Sequence, residues 1–134
     1  MGIFNPAAMV TSRRVLALKG ANFNSTADQA IALPASLTKF AVTTIWVTNA
    51  SISLTLAAGG FYTAASKGGT TLVAAGQVYS ALTAAGVLMT ATLGAGATGN
   101  AFALASVPNI YFALTVAQGG AATADIYVEI ADLS

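Results

Sequence analysis

The chain has 134 residues, of which 56% are hydrophobic and only 7% charged, with a formal net charge of +1. That is the length of one domain with a real core, and its charges are too few and too scattered for a nucleic-acid footprint. It contains no cysteine and no histidine, which removes a disulfide framework, a thiolate metal site, the commonest general base and the commonest metal ligand.

In chain order, Met1 to Ser12 reads as an extended N-terminal arm. It is no secretory signal, because Arg13 and Arg14 follow its apolar residues instead of preceding them, and Pro6 stands where a myristoylation motif wants Ser or Thr. Residues 13–134 read as a single domain. RRVLALK, Arg13 to Lys19, predicts a first strand ending at Gly20. After a polar turn, Gln29 to Leu33 predicts a short strand. KFAVTTIWVTN, Lys39 to Asn49, is rich in the residues that fit a pleated surface. Its phase slips midway, since Phe40 and Val42 share one face and Ile45 and Val47 the other. That predicts a bulge at Thr43–Thr44 or burial on both faces.

Ile52 to Leu56 predicts another strand, broken by Gly59–Gly60. FYTAA, SKGG and TTLVAA form a hairpin by their turn chemistry. Gln77 to Leu82 and Val87 to Leu93 read as further strands, although their alanines would equally suit a short helix. Gly94 to Asn100 is a glycine-rich loop, followed by a weak run from Ala101 to Ser106. Ile110, Phe112, Leu114 and Val116 alternate with Tyr111, Ala113, Thr115 and Ala117. Ile126, Val128 and Ile130 point inward, with Asp125, Tyr127 and Glu129 outward. Eight or nine short strands with frequent turns predict an all-β fold, an antiparallel two-sheet β-sandwich that is jelly-roll-like.

From Gly68 to Ala124 there is no Lys, Arg, Asp or Glu. The outward half of such strands must be covered by a membrane, a partner or copies of the same chain. The best membrane window, Thr71 to Leu93, is interrupted by Gly76, Gln77, Ser80 and Gly86 and lacks a basic flank, so no membrane is expected. A surface of Ala, Thr, Ser and Gly suits close packing between subunits. Trp46, Phe61, Tyr62, Tyr79 and Tyr111 are the candidate interface contacts, with Tyr127 a further exposed aromatic.

Catalytic motifs fare poorly. Gly94, Gly96 and Gly99 spell G-x-G-x-x-G, but no helix follows and no acid stands at the required distance. Asp125 and Glu129 lie about 13 Å apart on one strand face, outside the range of a glycosidase pair. A calcium site that adds Asp28 stays open, but a solvated outer face accounts for these carboxylates more simply. Ser66 and Lys67 are adjacent, so on a strand the lysine cannot activate its neighbour. No catalytic residue, cofactor or metal is expected, and the chain reads as a non-enzyme.

STADQAIALP, TKFAVTTIWVTNAS, AAGGFYTAASKGGTTLVAAGQVYSALT and YFALTVAQGGAATADIYVEI together resemble small virion proteins of tailed bacteriophages, across about Asn22 to Ile130. The resemblance includes capsid decoration, or cement, proteins. It implies a homo-oligomer, with a trimer favoured, on the outer capsid surface. The partner would be the major capsid protein and assembly would take place in the host cytoplasm. No functional residue transfers from it. The alternative is a head-fibre or tail module that binds a host glycan through exposed aromatics such as Tyr62 or Tyr111.

Overall fold

The computed structural model describes residues 12–94, 104–105 and 107–133. Among them there is no helix. The strands are β1 (Ser12–Asn22), β2 (Gln29–Ala32), β3 (Lys39–Thr48), β4 (Ala58–Ala64), β5 (Gly68–Val73), β6 (Leu88–Thr90), β7 (Leu104–Ala105), β8 (Asn109–Val116) and β9 (Thr123–Asp132). They make two antiparallel sheets. Sheet A runs β1-β9-β3-β6, with β7 beside the start of β3, and sheet B runs β2-β8-β4-β5. The pairings nest around the β4–β5 hairpin: β3 pairs β6, β2 pairs β8, and β1 pairs β9.

The core is the shared interior of the two sheets. Ile45, Val47, Ile126, Val128 and Ile130 of sheet A meet Ile31, Phe61, Ile110, Phe112 and Leu114 of sheet B in one buried cluster. An aromatic group anchors it. Phe112 packs on Phe23, Phe61 and Tyr79, with centroids 4.9, 5.0 and 6.2 Å apart. The Tyr79 hydroxyl donates to the Gly59 carbonyl at 3.0 Å, which satisfies the one polar atom of a fully buried ring.

Bulges set which side chains reach this core. The β3–β9 register shifts between Val42 and Thr44, where the phase slip predicts it. The extra residue is Thr43, whose hydroxyl bonds Glu129 at both its backbone carbonyl and its carboxylate. Phe40, Val42, Ile45 and Val47 therefore all point inward. A second bulge lies in β1 between Leu18 and Ala21, around Gly20, whose φ is +66°. A break was expected at Gly20, but the left-handed glycine inserts one residue and the strand continues to Asn22. A third shift lies between Ala58 and Gly59, where Gly59 pairs Leu114 and Ala58 pairs Val116. Thr115 is the extra residue there, and its hydroxyl donates to both Ala58 and Ala75 carbonyls.

Several expectations change. Ile52 to Leu56 is loop, pinned where Gln118 Oε1 accepts from the Leu56 and Ala57 amides. Gly59–Gly60 lies inside β4 instead of breaking a strand, because neighbouring backbone approaches too closely for a side chain. Residues 77–82 contribute only a bridge, Val78 opposite Ala58. Only Leu88–Thr90 of the next run forms a strand. Val116, expected on one face with Ile110, Phe112 and Leu114, is exposed while those three are buried, because the Thr115 bulge reverses its face. The hairpin is as expected: Ser66 and Lys67 both adopt positive φ, and the Gly68 amide donates to the Ala65 carbonyl. Ser12, assigned to the arm, pairs with Asp132 in β1. Residues 1–11 of the arm, most of the glycine-rich loop with Gly96 and Gly99, and most of the 101–106 run lie outside the described residues.

A Cβ added at Gly59 would lie 2.3 Å from Leu114 Cα and 2.5 Å from the Ala113 carbonyl oxygen. Because both are backbone, the strand itself must move. Gly59→Ala is expected to cost about 3 kcal/mol in urea unfolding, at the upper end of overpacking effects. Gly76→Ala, with nothing within 4 Å, should stay within about 0.5 kcal/mol of wild type. Equal losses at the two positions would contradict the close-approach explanation.

Candidate interaction surfaces

The two sheets of the sandwich differ in charge. Arg13, Arg14 and Lys19 of β1, Lys39 of β3, and Asp125, Glu129 and Asp132 of β9 all belong to sheet A. The strands of sheet B contain no charged residue. The remaining charges, Asp28 and Lys67, flank the β4–β5 hairpin tip, where Asp28 Oδ2 accepts the Ser66 amide at 2.8 Å. Sequence order places the charges before Gly68 and after Ala124. The fold then brings both groups to one sheet by pairing β1 with β9.

On the outer face of sheet A, Trp46 and Tyr127 stand directly opposite each other, with Ala17 and Thr90 completing the row. Both aromatics are partly exposed. Lys19 Nζ lies 5.2 Å from the Tyr127 ring centroid, a cation–π approach. Glu129 pairs with Arg13 at 3.2 Å on this face, whereas Arg14 and Asp132, opposite Ile130 and Phe40, pair at 3.3 Å on the inward side at the end of the sheet. Such partly exposed pairs contribute little to stability.

Asp125 behaves differently from the solvated outer carboxylate expected of it. It is only 9% exposed. Its Oδ1 accepts the Gly20 amide at 2.8 Å, which satisfies an N–H that the β1 bulge removes from the ladder. Its Oδ2 accepts Asn49 Nδ2 at 3.0 Å and lies 3.7 Å from Lys19 Nζ. The Gly20 amide holds the carboxyl below its usual range; burial opposes this, and Asn49 and Lys19 reinforce it. Lys19 is raised chiefly by Tyr127, then by Asp125. Asn49 sits at φ 57°, which Asn tolerates better than most residues. The group works as a clasp between β1, β9 and the end of β3.

The outer face of sheet B is neutral and partly apolar. Val78, Ala58 and Val116 form a row across it, in register. Val78 is 56% exposed and Val116 50%. Leu56, 62% exposed, lies just beyond the row toward the chain turns, near Gly119.

The candidate aromatic contacts separate accordingly. Trp46 and Tyr111 are partly exposed, on sheets A and B respectively. Phe61 and Tyr79 are fully buried and Tyr62 nearly so, which removes all three from the surface. Phe61 and Tyr79 belong to the aromatic core. Tyr62 stands opposite Tyr111, and its hydroxyl lies 2.9 Å from where a Gly60 Cβ would be, so the ring covers the glycine. That hydroxyl is buried without a hydrogen bond among the described residues. Residues that sequence reasoning missed are Val78 and Leu56, whose exposure depends on tertiary placement, and Gln118, whose only signal is a polar side chain in a small-residue loop.

Among the described residues no group of three or more His, Cys, Asp or Glu is placed to hold a metal. No helix among them is long and apolar enough to cross a membrane. At the opposite end of the sandwich from Val78 and Val116, an open groove of about 490 Å³ is lined by residues including Leu33, Pro34, Leu37, Val107 and Pro108, none of them ionisable. Comparison with protein-family profiles, curated proteins and solved structures found no match to this chain.

The Asp125 clasp predicts a pH dependence. Its carboxyl has a lower pKa folded than unfolded. The contribution is therefore complete above the unfolded value of about 3.9 and is lost as pH falls through the folded value. Thermal midpoints of Asp125→Asn should lie below wild type at about pH 7. The gap should narrow as the pH falls from the unfolded value through the lower folded one. An undiminished gap in acid would show that the charge of Asp125 does not stabilise the fold.

Proposed function

We propose that the protein is a non-enzymatic virion component of a tailed phage, a decoration or cement protein. It self-associates, as a trimer by the resemblance, and clamps subunits of the major capsid protein on the outer shell after assembly in the host cytoplasm. The observation that carries this reading is the segregation of charge. The strands of one sheet hold seven of the nine charged side chains and the strands of the other hold none. A protein with two such faces is suited to cover the neutral one with protein and leave the charged one wet. The resemblance to phage virion proteins read in the sequence points the same way, and the nested strand pairing supports describing the sandwich as a jelly roll. A clamp acts through repeated contacts, where avidity replaces single-site affinity.

A second reading, a head-fibre or tail module that binds a host glycan, is favoured by one observation: the Trp46–Tyr127 pair on the charged face. Aromatic faces beside polar side chains suit sugar rings. Tyr62, named with Tyr111 for this role from the sequence, is buried, so Tyr111 remains and Trp46 and Tyr127 join it.

The deciding experiment is co-sedimentation of the purified protein with capsids that lack it. The cement reading expects saturable binding at a fixed copy number per capsid and a raised temperature of capsid disruption. Deleting residues 1–11, which leaves β1 intact, should weaken binding at least tenfold if the arm grips the shell. No binding to capsids, together with glycan-array binding lost in Trp46→Ala, would replace the cement reading with the second one.

A further inference from the structure

The apolar groove lies at the end of the sandwich where the chain enters β1. We propose that this groove is the docking site for the chain's own residues 1–11. The inference goes beyond the capsid reading and does not rest on it, because groove and tether both belong to the free protein.

The fold brings the two together. β1 and β2 are edge strands of opposite sheets in contact with each other, and β3 lies third in sheet A, beyond β9. Residues 33–38, which join β2 to β3, therefore cross the end of the sandwich past β1 and β9. They form one wall of the groove, and Val107 and Pro108, leading into β8, form the other. The Leu33 amide donates to the Pro108 carbonyl at 3.0 Å and ties the two walls together. β1 and β3 both run antiparallel to β9, so they run in the same direction. Asp132 pairs with Ser12 on one side and Phe40 on the other, which puts Ser12 level with Phe40. The chain before Ser12 thus leaves sheet A at the end where the groove wall enters it. Two strand spacings and two residues separate Ser12 from Thr38 in the lining, about 12 Å. Residues 1–11 can span up to roughly 36 Å.

Composition and tether select the occupant. The groove of about 490 Å³ has no ionisable residue in its lining. Residues 1–11, MGIFNPAAMVT, carry no charged side chain and supply Ile3, Phe4, Met9 and Val10. Seating such side chains against Leu33, Leu37 and Val107 removes apolar surface from water on both sides. Segment 95–103 supplies only Phe102 of comparable size. Other uncharged partners would suit the same lining, but a segment rooted about 12 Å away acts at an effective concentration in the millimolar range. A second copy or a separate protein matches that only when its own concentration is as high.

The chain has no cysteine, so a disulfide between two introduced cysteines reports their encounter alone. The test compares oxidation rates of full-length double variants at about 20 μM, well below the effective concentration of the tether. Asn5→Cys/Ala35→Cys joins the arm to an exposed position on the groove wall. Asn5→Cys/Val15→Cys joins it to a 55% exposed position on the outer face of sheet A. Val15 lies about 10 Å from Ser12 along β1, so both targets are equally within reach. The first pair should close at least about tenfold faster than the second, as an intramolecular disulfide. Adding Ile3→Ser and Phe4→Ser to the first pair should lower its rate to that of the second. Near-UV circular dichroism checks the fold, and Ser36→Cys replaces Ala35→Cys if the latter loses its native signal. Equal rates for the two pairs would overturn the inference, as would faster closure at Val15 or a rate indifferent to the serine substitutions. A disulfide-linked dimer as the main product of the first pair would assign the groove to another copy's arm and overturn it too. Capsid binding enters none of these outcomes, so the cement reading stands or falls separately.

Discussion

A strand shows its side chains alternately to its two faces, and one extra residue in a ladder exchanges those faces from that point on. Three of the insertions in its ladders, at Gly20, Thr43 and Thr115, set much of what this sandwich buries and what it displays. Thr43 brings both halves of β3 onto the core. Gly20 lets β1 run past a break and keep its pairing with β9. Thr115 sends Val116 outward while Leu114 stays in. Side-chain hydrogen bonds hold each of them: Asp125 to the Gly20 amide, Thr43 to Glu129, and Thr115 to two carbonyls. The bulges are therefore fixed features of the fold.

Two of these clasps depend on the few charged side chains the protein has. Asp125 and Glu129 bind backbone or hydroxyl groups at the bulges, and they also form the ion pairs of the outer face. The charges thus stabilise irregular backbone in sheet A. Sheet B is left to rely on close packing, as the Gly59–Gly60 approach to β5 and β8 shows. The neutrality of sheet B and the clasps of sheet A follow from the same distribution of residues.

A polar but uncharged β surface with isolated valines is a moderate hazard, since unpaired neutral strands invite non-specific association. On this protein the apolar side chains are concentrated in a short row instead of spread along an edge. Lys19 and Arg13 on the edge strand β1 discourage pairing there. Together these features leave the exposed apolar side chains on a face and away from the charged edge strand.

Much of this was legible in the sequence. The all-β class followed from alternation and turn residues, the β4–β5 hairpin from SKGG, and the Thr43 bulge from the slip between Val42 and Ile45. The charge-free stretch was visible as well. All of these are local signals, carried by residues near one another in the chain. What the sequence left undecided depends on contacts between distant segments. Gly59–Gly60 resembles a break until β5 and β8 are seen pressed against it. Tyr79 and Phe61 look available for a partner until Phe112 and Phe23 enclose them. Val116 reads as core until Thr115 finds carbonyls on β4 and beyond β5. Only the pairing of β1 with β9 could collect the charges from both ends of the chain onto one sheet, because pairing between chain ends is set by packing and leaves no trace in local periodicity.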